Sequence, residues 1–115
     1  MSTYELELDE TGVPGVVASL SGELDLTNAG ELEERLRRAA PESGELLVDL
    51  NHVVFIDSAA IHVLFRLARD LGAGGGLALL LAPDAPVARV LEIVNMKDAV
   101  RIVPSRTPLE HASSP

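Results

Sequence analysis

Apolar and polar residues alternate at the start of the chain and then group into helical stripes and longer apolar runs. Tyr4, Leu6 and Leu8 alternate with acidic residues, which is the period-two pattern of a half-buried strand. Turn-forming residues occupy positions 11–15, and the apolar stretch 16–20 follows them. The opening of the chain is therefore predicted to be a β-hairpin.

Helical spacing of apolar side chains recurs three times after the hairpin. The periodicity predicts helices over residues 28–40 and 58–71, and a shorter one that begins at Asp84 and Pro86 with a stripe of Val87, Val90, Leu91 and Val94. Gly72 is expected to stop the second helix, and Asn95 to end the third in a left-handed conformation.

Continuous apolar runs separate these helices. Runs over residues 46–50 and 77–82 are typical of strands that are covered on both faces, and residues 99–103 are predicted to form a last short strand. The resulting order is β-β-α-β-α-β-α-β. It predicts an α/β fold with a mainly parallel central sheet, an antiparallel N-terminal strand and flanking helices.

The first helix carries additional polar signals. Asn28 followed by Glu31 fits a capping box, and Thr27 is a second candidate for the N-cap. Three Glu–Arg pairs at i,i+4 spacing are predicted on its outer surface: Glu31–Arg35, Glu33–Arg37 and Glu34–Arg38.

The length of 115 residues is that of one domain. We expect the folded domain to span residues 1–104, followed by a flexible C-terminal tail over 105–115, where Pro, Ser and Thr replace the apolar periodicity. Aromatic residues make up only 3% and Trp is absent, so the core is expected to consist of Leu, Val, Ile and Ala.

The charge balance narrows the classes of partner. Nine Lys and Arg residues stand against 18 Asp and Glu, which gives a formal net charge of −9. This balance argues against nucleic acid and anionic membranes as partners, and favours a protein with a basic face. Cysteine is absent, and the first residues form neither a basic region nor an apolar signal segment. We therefore expect a soluble cytoplasmic protein.

The most informative motif lies where an apolar run ends abruptly in Asp57-Ser58 and a helical pattern begins. A helix N-terminus has unpaired N–H groups and partial positive charge, so it tolerates an added anion. Ser58 is therefore a candidate phosphorylation site. The alternative is that Ser58 is only the N-cap of the helix.

Other constellations favour structural roles. The glycine run 72–76 follows a helix and lacks a following Lys-Ser/Thr, so it is interpreted as a helix stop and a loop. His52, His62 and His111 have no metal-like spacing and are predicted on the surface. Ser58 lacks the Gly-x-Ser-x-Gly context of a hydrolase nucleophile.

A divalent-cation site is a further alternative for three aspartates. Asp25 and Asp57 both precede predicted helices, whereas Asp49 lies within a predicted strand. A capping or partner-contact role explains the first two equally well, so no metal site is predicted.

Several motifs together resemble the STAS domain, and more closely the single-domain anti-sigma factor antagonists of bacteria. The resemblance covers about residues 6–103 and rests on Gly22-Glu23-Leu24-Asp25 with Thr27, Asp49-Leu50, Phe55-Ile56-Asp57-Ser58 and Gly75-Gly76. It implies binding to an anti-sigma factor that is itself a serine kinase, with release of a sigma factor. It further implies that this kinase phosphorylates Ser58, that phosphorylation ends binding, and that a serine phosphatase reverses it.

The resemblance also implies where the partner binds. Asp25 matches a family position at the kinase interface, and the expected partner-binding residues are Asp25, Asp57, Ser58, Ala59, Ala60 and His62. The family commonly has Asp-Ser-Ser-Gly where this chain has Asp57-Ser58-Ala59-Ala60. The added methyl group of Ala60 is expected to crowd the approach to Ser58.

A regulatory binding module without catalytic residues or cofactors is therefore the leading hypothesis. The alternative is a STAS scaffold or ligand-sensing module in a larger regulatory complex. No constellation in the sequence favours an enzyme.

Overall fold

Five strands form one mixed sheet in the order β1-β2-β3-β4-β5. The computed structural model describes residues 3–10, 15–42, 44–72 and 76–107. The first strand is antiparallel to the second, and the other neighbours pair in parallel, which confirms the predicted fold class. The strands are β1 Tyr4–Asp9, β2 Gly15–Leu24, β3 Glu45–Ile56, β4 Leu77–Leu80 and β5 Arg101–Val103.

Three helices and a 3-10 turn connect the parallel strands: α1 Ala29–Ala39, α2 Ser58–Leu71, α3 Ala88–Ile93 and the 3-10 turn Met96–Asp98. The second helix has the bounds predicted from its periodicity, and Gly72 is its C-cap. The third is shorter than predicted, and Val90 of its stripe is 37% exposed. Asn95 adopts the predicted left-handed conformation, with φ 57° and ψ 41°.

The main core lies between one face of the sheet and the helices, and a smaller cluster of Val17, Leu47, Ala78 and Leu80 is buried on the other face. Side chains alternate across each strand, so every second strand residue faces α1 and α2. Of the largest fully buried side chains, all are leucines apart from Met96, as the shortage of aromatic residues predicts. They are Leu20, Leu24, Leu32, Leu36, Leu46, Leu50, Leu64, Leu67, Leu79, Leu80, Leu91 and Met96.

The third strand is much longer than the apolar run 46–50 that was predicted. It spans 12 residues and shifts register against β2 twice. As a result Leu50, Val53 and Ile56 all enter the core at intervals of three residues instead of two. Each shift places one additional β3 residue opposite β2, as a β-bulge does. The bulged end of the strand leaves Val54 and Phe55 exposed.

The first strand is fastened to α1 through Tyr4. Its hydroxyl donates to Glu31 Oε1 at 2.7 Å and accepts from an Arg35 guanidinium nitrogen at 3.2 Å. Burial, together with the Glu31 hydrogen bond, raises the pKa of Tyr4. These contacts replace the direct ion pair that was predicted between Glu31 and Arg35. The other two predicted pairs form: Glu33–Arg37 at 2.8 Å and Glu34–Arg38 at 3.5 Å.

Asn51 joins the middle of β3 to two other segments. Its side-chain oxygen accepts from the Ala82 backbone N–H at 2.7 Å, and its side-chain nitrogen donates to the carbonyls of Ser105 and Arg106 at 3.0 and 3.2 Å. Only 8% of this residue is exposed. The start of the predicted tail is therefore hydrogen-bonded to the domain, and residues 108–115 lie outside the described part of the chain.

Replacing Asn51 is expected to destabilise the fold. In Asn51→Ala the buried Ala82 N–H and two backbone carbonyls lose their partner, so we expect a loss of about 2–3 kcal/mol in the free energy of unfolding. Urea denaturation measures this loss, with Val54→Ala on the exposed side of the same strand as the control. The control should stay within about 0.5 kcal/mol of the wild type. A similarly small effect of Asn51→Ala would contradict the structural role of Asn51.

Candidate functional site

The ends of β2 and β3 bring two loops together at one edge of the sheet. Leu24 pairs with Ile56 at the last register position, and the Asp57 backbone N–H donates to the Leu24 carbonyl at 3.1 Å. The loop before α1 and the turn before α2 are therefore neighbours. This is the edge at which the carboxyl ends of parallel strands meet, a common place for binding sites in α/β proteins.

Gly22 allows β1 to pass close to the start of this region. Its φ is +93°, and a Cβ at this position would lie 2.5 Å from the Thr3 carbonyl oxygen. The next residue, Glu23, donates its backbone N–H to that same oxygen at 2.9 Å. The glycine of the Gly-Glu-Leu-Asp motif is therefore required by the backbone path.

Asp57 is the N-cap of α2. Its Oδ1 accepts from the Ala60 backbone N–H at 3.1 Å, and its Oδ2 accepts from the Leu26 backbone N–H at 3.1 Å. One carboxylate thus caps the helix and also holds the neighbouring loop. The alternative in which Ser58 caps the helix is wrong, because Asp57 already occupies that position.

Ser58 is consequently the first residue of α2, and it is exposed. Within the described part of the chain, its hydroxyl has no hydrogen-bond partner. The side chain lies at the positive end of a 14-residue helix. The Ser58 hydroxyl is thus accessible and lies where a helix tolerates added negative charge.

The loop before α1 is held by its own side chains. Asp25 Oδ1 accepts from the backbone N–H and the hydroxyl of Thr27, at 2.9 and 2.6 Å. Asn28 accepts from the Asp25 backbone N–H at 3.0 Å and donates to the Glu23 carbonyl at 2.9 Å. The predicted capping box is wrong, because the buried Asn28 side chain turns back toward β2 and does not cap α1.

The expected partner-binding residues differ in exposure. His62 is exposed, one turn after Ser58 on the same helix face, and Ala59 is half-buried. Ala60 is 0% exposed, and its methyl group packs in the core. The expected crowding of Ser58 by Ala60 is therefore wrong, because the methyl group is directed into the core.

The three aspartates do not form a cation site. Asp49 is buried within β3, where its Oδ1 accepts from the backbone and side chain of Asn51. In the described ranges, no three His, Asp or Glu side chains are arranged to hold a metal ion. Two of the histidines, His52 and His62, are exposed as predicted, whereas His111 lies outside those ranges.

Exposed apolar side chains at this edge were missed by the sequence analysis. Leu26 is 78% exposed, and Val54 and Phe55 are 61% and 50% exposed. Leu26 is bonded through its backbone to Asp57, and Phe55 lies two residues before Asp57. Phe55 belongs to the apolar run that ends at Asp57, and the bulges that expose it leave no trace in the apolar pattern.

A network of ion pairs fixes α2 against α1. Glu33 binds Arg66 across the two helices and Arg37 within its own helix, each at 2.8 Å. Arg37 also contacts Asp70 at 2.9 Å. The hydrogen bonds from Arg66 and Arg37 lower the pKa of Glu33 to about 2. This network joins the helix that carries Ser58 to α1.

Residues 6–107 match the family model of the STAS domain, and the chain belongs to this family. The fold is similar to that of an anti-sigma factor antagonist from Mycobacterium paratuberculosis, with a TM-score of 0.79, 22% identity, and coverage of 96% of this chain and 91% of that one. The anti-sigma factor antagonist SpoIIAA in its unphosphorylated form matches with a TM-score of 0.70 and 21% identity, over 93% of this chain and 92% of that one.

The phosphorylated form of SpoIIAA, described as a Bacillus cell fate determinant, also shares the fold. Its TM-score is 0.63 at 20% identity, over 93% of this chain and 96% of that one. Identities at this level show a common fold. Throughout the described ranges, every helix is too short or too polar to cross a bilayer.

The Glu33 network predicts an acid-sensitive contribution to stability. The pKa of Glu33 is lowered from 4.5 to about 2 on folding, so its contribution is complete above pH 4.5 and is lost as the pH falls toward 2. Glu33→Gln should therefore make the free energy of unfolding depend less steeply on pH between about 2 and 4.5. Part of the slope should remain, because hydrogen bonds from Arg69 and Arg37 also lower the pKa of Asp70 to about 2.

Urea denaturation at a series of pH values measures this profile. The matched control is Glu34→Gln, because the Glu34–Arg38 pair is 3.5 Å long and exposed on both sides and should contribute little. Equal slopes for the wild type and Glu33→Gln would contradict the proposed contribution of Glu33.

Proposed function

We propose that this protein is an anti-sigma factor antagonist switched by phosphorylation of Ser58. In this account it binds an anti-sigma factor that is a serine kinase, and the bound sigma factor is released. The observation that carries the proposal is the exposed Ser58 hydroxyl at the start of α2, without a capping role because Asp57 is the N-cap. The family assignment and the fold shared with SpoIIAA, solved in phosphorylated and unphosphorylated forms, support it.

The proposed docking surface consists of Asp25, Leu26, Phe55, Asp57, Ser58, Ala59 and His62. Leu26 and Phe55 supply its exposed apolar area, and burying a side chain of this size contributes about 1.5–3 kcal/mol. Asp25 and Asp57 supply negative charge beside them. A partner with an apolar patch and a basic rim matches this surface. Ala60 is left out because its side chain is buried.

Phosphorylation would alter this surface without unfolding it. A phosphate adds about −1.5 to −2 charges, which the N-terminus of α2 tolerates. Opposite Ser58 in the docked complex, the added charge would meet the nucleotide phosphates or the carboxylates of the kinase, which would repel it. A change of about 1.4 kcal/mol in binding is already tenfold in affinity, so partner release needs no movement of the backbone.

The remaining parts of the proposal follow from this role. A serine phosphatase that removes the phosphate from Ser58 returns the protein to its binding form. The protein itself supplies no catalytic residue and uses no cofactor, and its partners are cytoplasmic proteins. Its net charge of −9 is consistent with protein partners and unfavourable for nucleic acid or anionic membranes.

Phosphorylation is expected at Ser58 and at no second position. Incubation with the anti-sigma kinase, ATP and Mg²⁺ should add one phosphate, located at Ser58 by peptide mass spectrometry. Ser58→Ala should remain unmodified. Thr27→Ala is the matched control, because Thr27 is another exposed hydroxyl at the same edge but donates to Asp25. It should be phosphorylated like the wild type.

The proposal fails if Ser58→Ala is phosphorylated to the same extent as the wild type. Phosphate on Thr27 in place of Ser58 would also contradict it, since the hydrogen bond to Asp25 would then not protect that hydroxyl.

A further inference from the structure

A polar pocket lies on the face of the sheet that is opposite to the helices. In β1 and β2, Glu5 pairs with Ser21 and Glu7 with Ser19. Across to β3, Ser19 pairs with Asp49 and Ser21 with His52. These pairings place two rows of polar side chains side by side. The rows line a cavity of about 300 Å³, at the lower end of the range for small-molecule sites.

The pocket is strongly negative. Its polar lining contains the carboxylates of Glu5, Glu7 and Asp49, the hydroxyls of Ser19 and Ser21, and the His52 imidazole. Among the described residues, neither lysine nor arginine lines it. Carboxylates and hydroxyls are hydrogen-bond acceptors, so the lining calls for a ligand that brings positive charge and N–H donors.

The buried carboxylate of Asp49 gives independent support for a ligand. Asp49 is only 5% exposed. Its Oδ1 accepts two hydrogen bonds from Asn51, at 2.9 Å each, whereas its Oδ2 accepts none in the described chain. No fully buried side-chain oxygen or nitrogen of that chain lacks a partner, so this Oδ2 keeps some exposure, and Asp49 is one of the residues that line the pocket. A largely desolvated carboxylate oxygen without a donor is stabilised by a cationic one.

We propose that this pocket binds an aliphatic polyamine. A metal ion does not match, because three ligating side chains within reach of one ion are not found among the described residues. On β1 and β2 the two rows are two residues apart, about 6.6 Å along the strand, and on β3 the register shift places Asp49 and His52 three residues apart. Ammonium groups separated by a short methylene chain have a similar spacing, so one group can bind at Asp49 and Glu7 while the next binds near Glu5 and His52.

This site is distinct from the proposed docking surface, although it shares its strands. Ser21 lies four residues before Asp25 on the β2 side, and His52 lies five residues before Asp57 on the β3 side. A polyamine bound in the pocket would therefore stabilise the strand segments that lead to the docking surface. Binding of a polyamine here does not depend on phosphorylation of Ser58. It would allow a small molecule to regulate the protein.

Titration of the ¹⁵N-labelled protein with spermidine at constant ionic strength tests the proposal by NMR. We expect saturable shifts of the Ser19, Ser21, Asp49 and His52 amides. Asp49→Asn keeps an oxygen for the Asn51 contacts and removes the charge, so it should weaken binding about tenfold. Glu5→Gln/Glu7→Gln should weaken it comparably, and these exposed positions keep the test valid if Asp49→Asn does not fold.

The matched control is Glu92→Gln/Asp98→Asn, which removes two exposed carboxylates elsewhere. It should change the affinity by less than about twofold, because distant surface charges are screened. Three outcomes would overturn the proposal: shifts that do not saturate, equal weakening by the two double variants, or the same shifts and affinity with Mg²⁺ in place of spermidine. The last would mean that the pocket attracts any cation.

Discussion

The carboxylate of Asp57 is the contact on which the arrangement of the site depends. One of its oxygens caps α2 through the Ala60 N–H, and the other holds the Leu26 N–H in the neighbouring loop. Through these two contacts, a single side chain joins the start of α2 to the loop after β2. An N-cap is worth about 1 kcal/mol to a helix, and here the same group also sets the geometry of a surface.

This division of roles explains how one short segment can be both stable and modifiable. The cap is supplied by Asp57, so the hydroxyl of Ser58 carries no structural hydrogen bond in the described chain. A modification at Ser58 therefore leaves the helix cap intact. Glu33 and its arginine partners hold α2 from the side, so the helix can accept new charge at its N-terminus without losing its position.

The bulges in β3 have a comparable effect on the apolar part of the surface. They let Leu50, Val53 and Ile56 all reach the core while Val54 and Phe55 stay exposed. Asn51, at the first register shift, compensates for the interrupted pairing with hydrogen bonds to Ala82 and to the chain after β5. β3 thus contributes side chains to the core along its whole length and exposes apolar side chains near its C-terminal end.

Periodicity predicted the order of the elements along the chain, the bounds of α2 and the position of Ser58 at the start of a helix, because these depend on local alternation and on abrupt changes of period. It could not decide which of Asp57 and Ser58 is the cap, since both are favoured there. Asn28 was misassigned for a similar reason: its amide can cap a helix or turn back to a strand, and only the fold selects the strand. The second bulge of β3 was missed because residues 53–56 are all apolar, so the pattern does not show which of them face the core.

The central claim is that negative charge at Ser58 controls partner binding and leaves the fold unchanged. Calorimetric titration of the anti-sigma partner with wild type, Ser58→Ala and Ser58→Asp tests it directly, with the thermal midpoint of each variant measured alongside. The account predicts that Ser58→Ala binds like the wild type, that Ser58→Asp binds about tenfold more weakly or worse, and that the midpoints agree closely. Equal affinities for Ser58→Ala and Ser58→Asp, with both proteins folded, would contradict it.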